Sequence, residues 1–334
     1  MTCVRERQQM QRTGSCLVVV VSLLVFLLGL PAWSSGAYQY GLVSSPLPED
    51  WVSLNGINDS RMIVGTAFSQ GFISSATSIT PTMLNYGSTT EALGINNAGI
   101  VVGYGTSSSG TQGFIYTTGP SSGFVSISSP SFLTDFRFQG INSGETIVGY
   151  GPTKIPGQPG PSAAFSYSAG VYTQILPTGL SDAQAFAINQ SGAIVGWGNK
   201  SVTGLPDVLT GFDTGGVFTL FLLSASGGTV HIGGINNNAL VGWVEDGAGH
   251  VLKGFVARSN GSYEEILPSI QSLSGTWTNV QVTGISESGI IVGYGDYDGN
   301  LTGFIATAVP LPASFLLFST GLAAVVGFRR FRRK

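Results

Sequence analysis

Few residues in this chain have the type and setting for acid–base or metal chemistry. The 334 residues contain two histidines, His231 and His250, so any Ser-His-Asp arrangement must use one of them. His231 precedes Gly233-Gly234-Ile235 in an apolar run and reads as a structural strand residue. His250 sits in the Gly-rich loop Asp246-Gly247-Ala248-Gly249-His250 and reads as solvated. Asp296, Asp298 and Asn300 place oxygen ligands at alternate positions, which suits a calcium loop because hard cations prefer oxygen. The match is partial: Gly299 precedes Asn300 rather than following it, and no glutamate closes the loop, so a polar hairpin turn is the simpler reading. No other cofactor is expected. Asp135, Asp207 and Asp213 lie outside the repeated positions described next and are the carboxylates that a polysaccharide-cleaving enzyme would use.

The elements around these residues are repeats. Gly56-Ile57-Asn58 with Ile63-Val64-Gly65 recurs as Gly94-Ile95-Asn96 with Val101-Val102-Gly103, and as Gly140-Ile141-Asn142 with Ile147-Val148-Gly149. It continues as Ala187-Ile188-Asn189 with Ile194-Val195-Gly196, Gly234-Ile235-Asn236 with Leu240-Val241-Gly242, and Gly284-Ile285-Ser286 with Ile291-Val292-Gly293. The second glycine is followed by Thr66, Tyr104, Tyr150, Trp197, Trp243 and Tyr294 in turn. Each copy then reaches a small residue and Phe: Phe72, Phe114, Phe165, Phe212, Phe255 and Phe304.

Each copy reads as short strands. Asn- and Gly-rich clusters such as Asn96-Asn97-Ala98-Gly99 tolerate positive φ and suit tight turns. Recurrence of Asn58, Asn96, Asn142, Asn189 and Asn236 argues for turn chemistry, because a catalytic residue is used once. By the same reasoning Trp197 and Trp243 belong to packing between repeats. About four antiparallel strands in each of six copies predicts an all-β fold, a six-bladed β-propeller, with a β-solenoid or sandwich array as the alternative. The sixth copy stops short after Phe304, and Tyr38–Val43 has no partner of its own. Pairing the two would leave no open sheet edge.

Only 9% of residues are charged, 43% are hydrophobic and Gly numbers 49. That composition fits an exported all-β protein rather than a disordered chain. Residues 38–308 carry six basic and 16 acidic residues. A clustered positive face is missing, which argues against nucleic-acid binding. Both cysteines, Cys3 and Cys16, precede the first apolar run.

Residues 1–37 have the layout of a secretory signal peptide: a basic start, the apolar run Leu17–Leu30, then Ser35 and Ala37 as a small-x-small cleavage site. Residues 309–334 form a second sorting element. Val309, Pro310, Leu311, Pro312, Ala313 and Ser314 precede a short apolar segment, Phe315–Phe328, read as a transmembrane helix, and the basic stop Arg329, Arg330, Arg332, Arg333 and Lys334. This tail resembles the PEP-CTERM sorting domain of Gram-negative bacteria, with Leu311 where that family usually has Glu. The resemblance implies the Sec translocon and an exosortase as partners. It also implies transient inner-membrane anchoring followed by release to the cell surface or medium, and an association with exopolysaccharide. The copies over residues 56–304 are similar to extracellular HAF repeats, although the signature His is replaced by Gln70, Gln112, Ala163, Thr210, Lys253 and Thr302.

Together these observations predict a non-enzymatic exported repeat protein that binds or scaffolds envelope material. The alternative is a propeller-type polysaccharide hydrolase or lyase.

Overall fold

The computed structural model describes residues 38–43, 52–76, 80–125, 127–156, 158–200, 208–214, 229–259, 262–266, 268 and 275–309. The expected signal peptide lies outside the described residues, as does the sorting tail beyond Val309. Among the described residues there is no helix long and apolar enough to cross a membrane.

All regular structure in the described residues is β. After β1 (Tyr38–Val43) come β2 (Val52–Ile57), β3 (Met62–Ala67), β4 (Gln70–Ser75) and β5 (Thr82–Leu84) as one antiparallel sheet. The next sheet holds β6 (Thr89–Ile95), β7 (Val101–Ser107), β8 (Gly110–Thr117) and β9 (Gly123–Val125). It is followed by β10 (Arg137–Ile141), β11 (Ile147–Ile155), β12 (Gln158–Ser168) and β13 (Val171–Ile175). A three-stranded sheet contains β14 (Gln184–Ile188), β15 (Ile194–Lys200) and β16 (Val208–Asp213). Then come β17 (Thr229–Ile235), β18 (Ala239–Glu245), β19 (Val251–Arg258) and β20 (Tyr263–Ile266). The last sheet joins β21 (Trp277–Ile285), β22 (Ile291–Tyr297) and β23 (Asn300–Ala308) to β1.

The sheets have a β-propeller arrangement. The first strand of each repeat packs on its counterparts in the neighbouring repeats: β2 on β6, β6 on β10, β10 on β14, β14 on β17, β17 on β21 and β21 on β2. Close approach at these inner strands requires glycine. A Cβ on Gly284 would lie 3.1 Å from the Asn55 carbonyl, across the junction between the last repeat and the first. The Ile-Val-Gly glycine answers a second demand. A Cβ on Gly103 would meet the Glu91 carbonyl at 1.9 Å and the Phe114 ring at 2.9 Å. The repeated phenylalanine fills the space that the glycine leaves. Phe114, Phe165, Phe255 and Phe304 are fully buried, and burying each such ring stabilises the fold by about 1.5–3 kcal/mol.

The repeated asparagines have two jobs. Oδ1 accepts from the backbone four residues on, as in Asn58 to Met62 N at 2.9 Å and Asn142 to Thr146 N at 3.0 Å. Nδ2 donates to the next repeat: Asn58 to Asn96 O at 3.0 Å, Asn96 to Asn142 O at 3.2 Å, Asn142 to Asn189 O at 3.2 Å and Asn236 to Ser286 O at 2.9 Å. These side chains are buried and satisfied, as buried amides must be. The turn chemistry expected from their recurrence is present, and the same residues also tie each repeat to the next.

Ring closure uses the N-terminal strand. Tyr38–Val43 pairs antiparallel with Gly303–Ala308, as the short sixth copy suggested. The Tyr38 hydroxyl accepts from Arg258 Nη2 at 2.9 Å, which ties β1 to the preceding sheet as well.

Candidate functional site

Every inner strand carries a β-bulge at the same place, between Leu54 and Gly56, Ala92 and Gly94, Phe138 and Gly140, Ala185 and Ala187, Ile232 and Gly234, and Val282 and Gly284. Bulges re-aim the side chains beside them. One step outside the bulge, each inner strand pairs with the residue after the Ile-Val-Gly glycine. The six pairs are Ser53–Thr66, Glu91–Tyr104, Arg137–Tyr150, Gln184–Trp197, His231–Trp243 and Gln281–Tyr294. The scaffold around them is nearly constant. The inner-strand members are Ser, Glu, Arg, Gln, His and Gln, all polar and mostly different, which is the variation of a site rather than of a structural device.

The pairs stand at one level, and ring and guanidinium contacts link those from the β6–β9 sheet to the β17–β20 sheet into a belt. The Arg137 guanidinium lies 4.9 Å from the Tyr104 ring centroid and 5.8 Å from that of Tyr150. Tyr150 meets Phe186 at 5.6 Å, Phe186 meets Trp197 at 6.2 Å and Trp197 meets His231 edge-on at 5.3 Å. The His231 imidazole is stacked on Trp243, with centroids 4.9 Å apart and planes 7° from parallel.

His231 is held on its edge as well as its face. Its Nε2 is 2.9 Å from Glu245 Oε2, and Glu245 Oε1 accepts from Trp243 Nε1 at 2.9 Å. The carboxylate therefore fixes both rings. Because a carboxylate only accepts, Nε2 is the donor of this bond. Both side chains are partly exposed, 28% for His231 and 24% for Glu245, so a solute can reach them.

Tyr294 donates to Gln281 Oε1 at 2.8 Å. Burial first, then the charges of Glu245 and Glu91, push its hydroxyl above the usual tyrosine range. Burial and the hydrogen-bonded Glu91 do the same for Tyr104. Both phenols therefore stay protonated at neutral pH. Inside the belt the axis narrows to a cavity of about 70 Å³ lined by residues such as Gly94, Gly140, Gly234 and Gly284. That is room for water only.

The residues singled out from sequence are dispersed. His250 is exposed and bonds to Asp246 within its own turn at 3.0 Å. Asp296 and Asp298 accept from Asn279 Nδ2 and the Thr276 amide, and Asn300 pairs with Tyr297 at the β22–β23 hairpin. Among the described residues there is no group of three or more His, Cys, Asp or Glu side chains that could hold a metal ion. Asp135 accepts from the Thr111 amide at 2.7 Å as a loop device, Asp213 ends β16 opposite Val195, and Asp207 lies outside the described residues. None of the described carboxylates in that trio belongs to the belt. Trp197 is buried with Val230 and Ile232 of the next sheet, the packing role expected of it.

No protein-family model and no curated protein matches the chain. Several solved structures are similar to it. One is a provisional gluconolactonase, 9% identical, covering 82% of this chain and 93% of that one at a TM-score of 0.49. Another is streptogramin B lyase, 11% identical, covering 81% and 98% at a TM-score of 0.43. A third is a catalytically inactive histidine-to-alanine variant of virginiamycin B lyase from Staphylococcus aureus with quinupristin, 14% identical, covering 81% and 99% at a TM-score of 0.40. At these identities no residue role passes from them to this chain.

The expectation of a non-enzyme does not stand as made, since proteins similar to this propeller are described as enzymes; at these identities and TM-scores they carry the fold alone, and no activity passes from them to this chain. The sequence reading put His231 on a strand, where the structure has it, but could not show its partner. Its partner Glu245 is 14 residues away on another strand, and only the antiparallel register of β17 and β18 brings the two together. The recurring aromatic after the Ile-Val-Gly glycine was the one sequence signal that pointed to the belt.

Proposed function

We propose that the belt is the acid–base site of an exported propeller enzyme that cleaves a polysaccharide by elimination or hydrolysis. The observation that carries this reading is the His231–Glu245 pair, held at 2.9 Å with both side chains partly exposed. In this role His231 takes a proton from the substrate or from water, and Glu245 stabilises the imidazolium that results. Trp243 and Tyr150 offer apolar faces to sugar rings.

The three-stranded sheet β14–β16 is read as the sixth blade. Its inner strand packs between those of its two neighbours, which supports that count. The leader and the tail support export, exosortase processing and a place at the cell surface, near exopolysaccharide. That the two flanking segments leave from paired residues, Tyr38 and Ala308, is consistent with such handling.

The test is cleavage of extracellular and model polysaccharides by the full-length protein, followed by reducing-end release and by the ultraviolet absorbance of the double bond that elimination creates. The expected result is turnover that falls about 10²–10⁴-fold in His231→Asn, the range that a positioned acid–base group supplies. Turnover unchanged in His231→Asn would remove the assignment.

A further inference from the structure

The belt contains one guanidinium that nothing neutralises directly. Arg137 is half-buried and makes no salt bridge among the described residues, whereas Arg258 is paired with Glu264. One of its donors reaches the Tyr150 hydroxyl at 3.3 Å. The rest of the group is held over the rings of Tyr104 and Tyr150. Aromatic rings hold a guanidinium in place without using its donor edge. Glu91 is near enough to favour the charge and is itself engaged with Tyr104.

Position matters as much as charge. Arg137 is the third-repeat counterpart of His231, and the belt joins them through Tyr150, Phe186 and Trp197. The protein around it is acidic, with six basic against 16 acidic residues over 38–308. The cation is fixed by two tyrosine rings and one hydroxyl, has donors to spare, and makes no salt bridge among the described residues. A planar fork of donors matches a carboxylate, which it binds through two parallel bonds.

We propose that Arg137 is the anion-binding residue of this site and that the ligand is an acidic polysaccharide, one whose sugars carry carboxylates. This rests on the belt being the site proposed above. It also gives elimination a reason, since a carboxylate neutralised by a guanidinium makes the adjacent C–H more acidic.

The experiment is calorimetric titration of the full-length protein with an oligogalacturonate and with a neutral galactose oligomer of equal length. His231→Asn, Arg137→Gln and Arg137→Lys are titrated alongside, with thermal unfolding of each. The protein and His231→Asn should bind the acidic oligomer in preference to the neutral one. Arg137→Gln should lose about 10–100-fold, the range for removing a hydrogen-bonded charge, while its weak affinity for the neutral oligomer stays unchanged. Arg137→Lys keeps the charge without the fork and should fall between, which separates recognition from misfolding. Equal affinity of Arg137→Gln and the unaltered protein for the acidic oligomer would overturn the proposal, as would equal affinity of the unaltered protein for both oligomers. If acidic binding depends on Arg137 but turnover does not depend on His231, the anion site stands and the catalytic reading fails.

Discussion

Tyr38 and Ala308 face each other as the terminal pair of the antiparallel register between β1 and β23. The first strand of the described domain is thus the outer strand of its last sheet. The two ends of the domain meet at one edge, on the side of the asparagine turns. The belt lies on the other side of the Ile-Val-Gly level.

That closure is held by more than its ladder. Tyr38→Phe should remove the bond from Arg258 and leave that donor less well satisfied, lowering stability by about 1–2 kcal/mol. Replacing Gln39, which is exposed on the same strand, by Ala should change stability by less than about 0.5 kcal/mol. Chemical denaturation of the two variants checks the pair.

The asparagine latches make a sharper test. Asn142→Ala deletes both the turn cap at Thr146 and the donor to Asn189, and should cost about 2–4 kcal/mol because the groups left behind are buried. The sixth repeat has Ser286 at this position, with Oγ accepting from Ile290 N at 3.2 Å. Ser286→Asn supplies the missing donor toward the first repeat and should raise stability by about 1 kcal/mol. A rise in midpoint in urea at constant slope is the expected signature.

Two carboxylates beside these turns should respond to pH with opposite sign. Burial tends to raise Asp59, but hydrogen bonds from Ser288, Ser286 and Asn97 outweigh it and leave its carboxyl below the usual range. Its folded value is below its unfolded value, so its contribution is present above the unfolded value and lost as pH falls through the folded one. Burial, then the charge of Asp59, raises Glu287. Its contribution is present below the unfolded value and lost as pH rises through the folded one. Melting curves should therefore show Glu287→Gln more stable than the unaltered protein at neutral pH, with the difference closing in acid. Asp59→Asn should be less stable at neutral pH, with its deficit closing in acid.

In the belt, Glu245→Gln should lower turnover by about 10–100-fold, less than loss of His231 itself, because an amide fixes the imidazole tautomer poorly. Trp243→Phe keeps a ring beside His231 and removes only the bond to Glu245, so it should have the smaller effect. Unchanged turnover in Glu245→Gln would show that the carboxylate acts only in packing.

Much of the architecture is written locally and repeated. The Gly-Ile-Asn turn, the glycine that must face a carbonyl and the phenylalanine that fills its space each recur at the same offset, so the sequence alone determined the repeats, their strands and the propeller class. It also determined that Tyr38–Val43 needed a partner, because the last copy was short of a strand. The site was different. Arg137, His231 and Glu245 stand at positions where the repeats disagree, and no local pattern links them. A common bulge aims them, strand register pairs His231 with Glu245, and packing of successive sheets sets Arg137 against Tyr104 and Trp197 against His231. Such contacts depend on residues separated by tens of positions, and only closure of the tertiary structure brings them within hydrogen-bonding or stacking range.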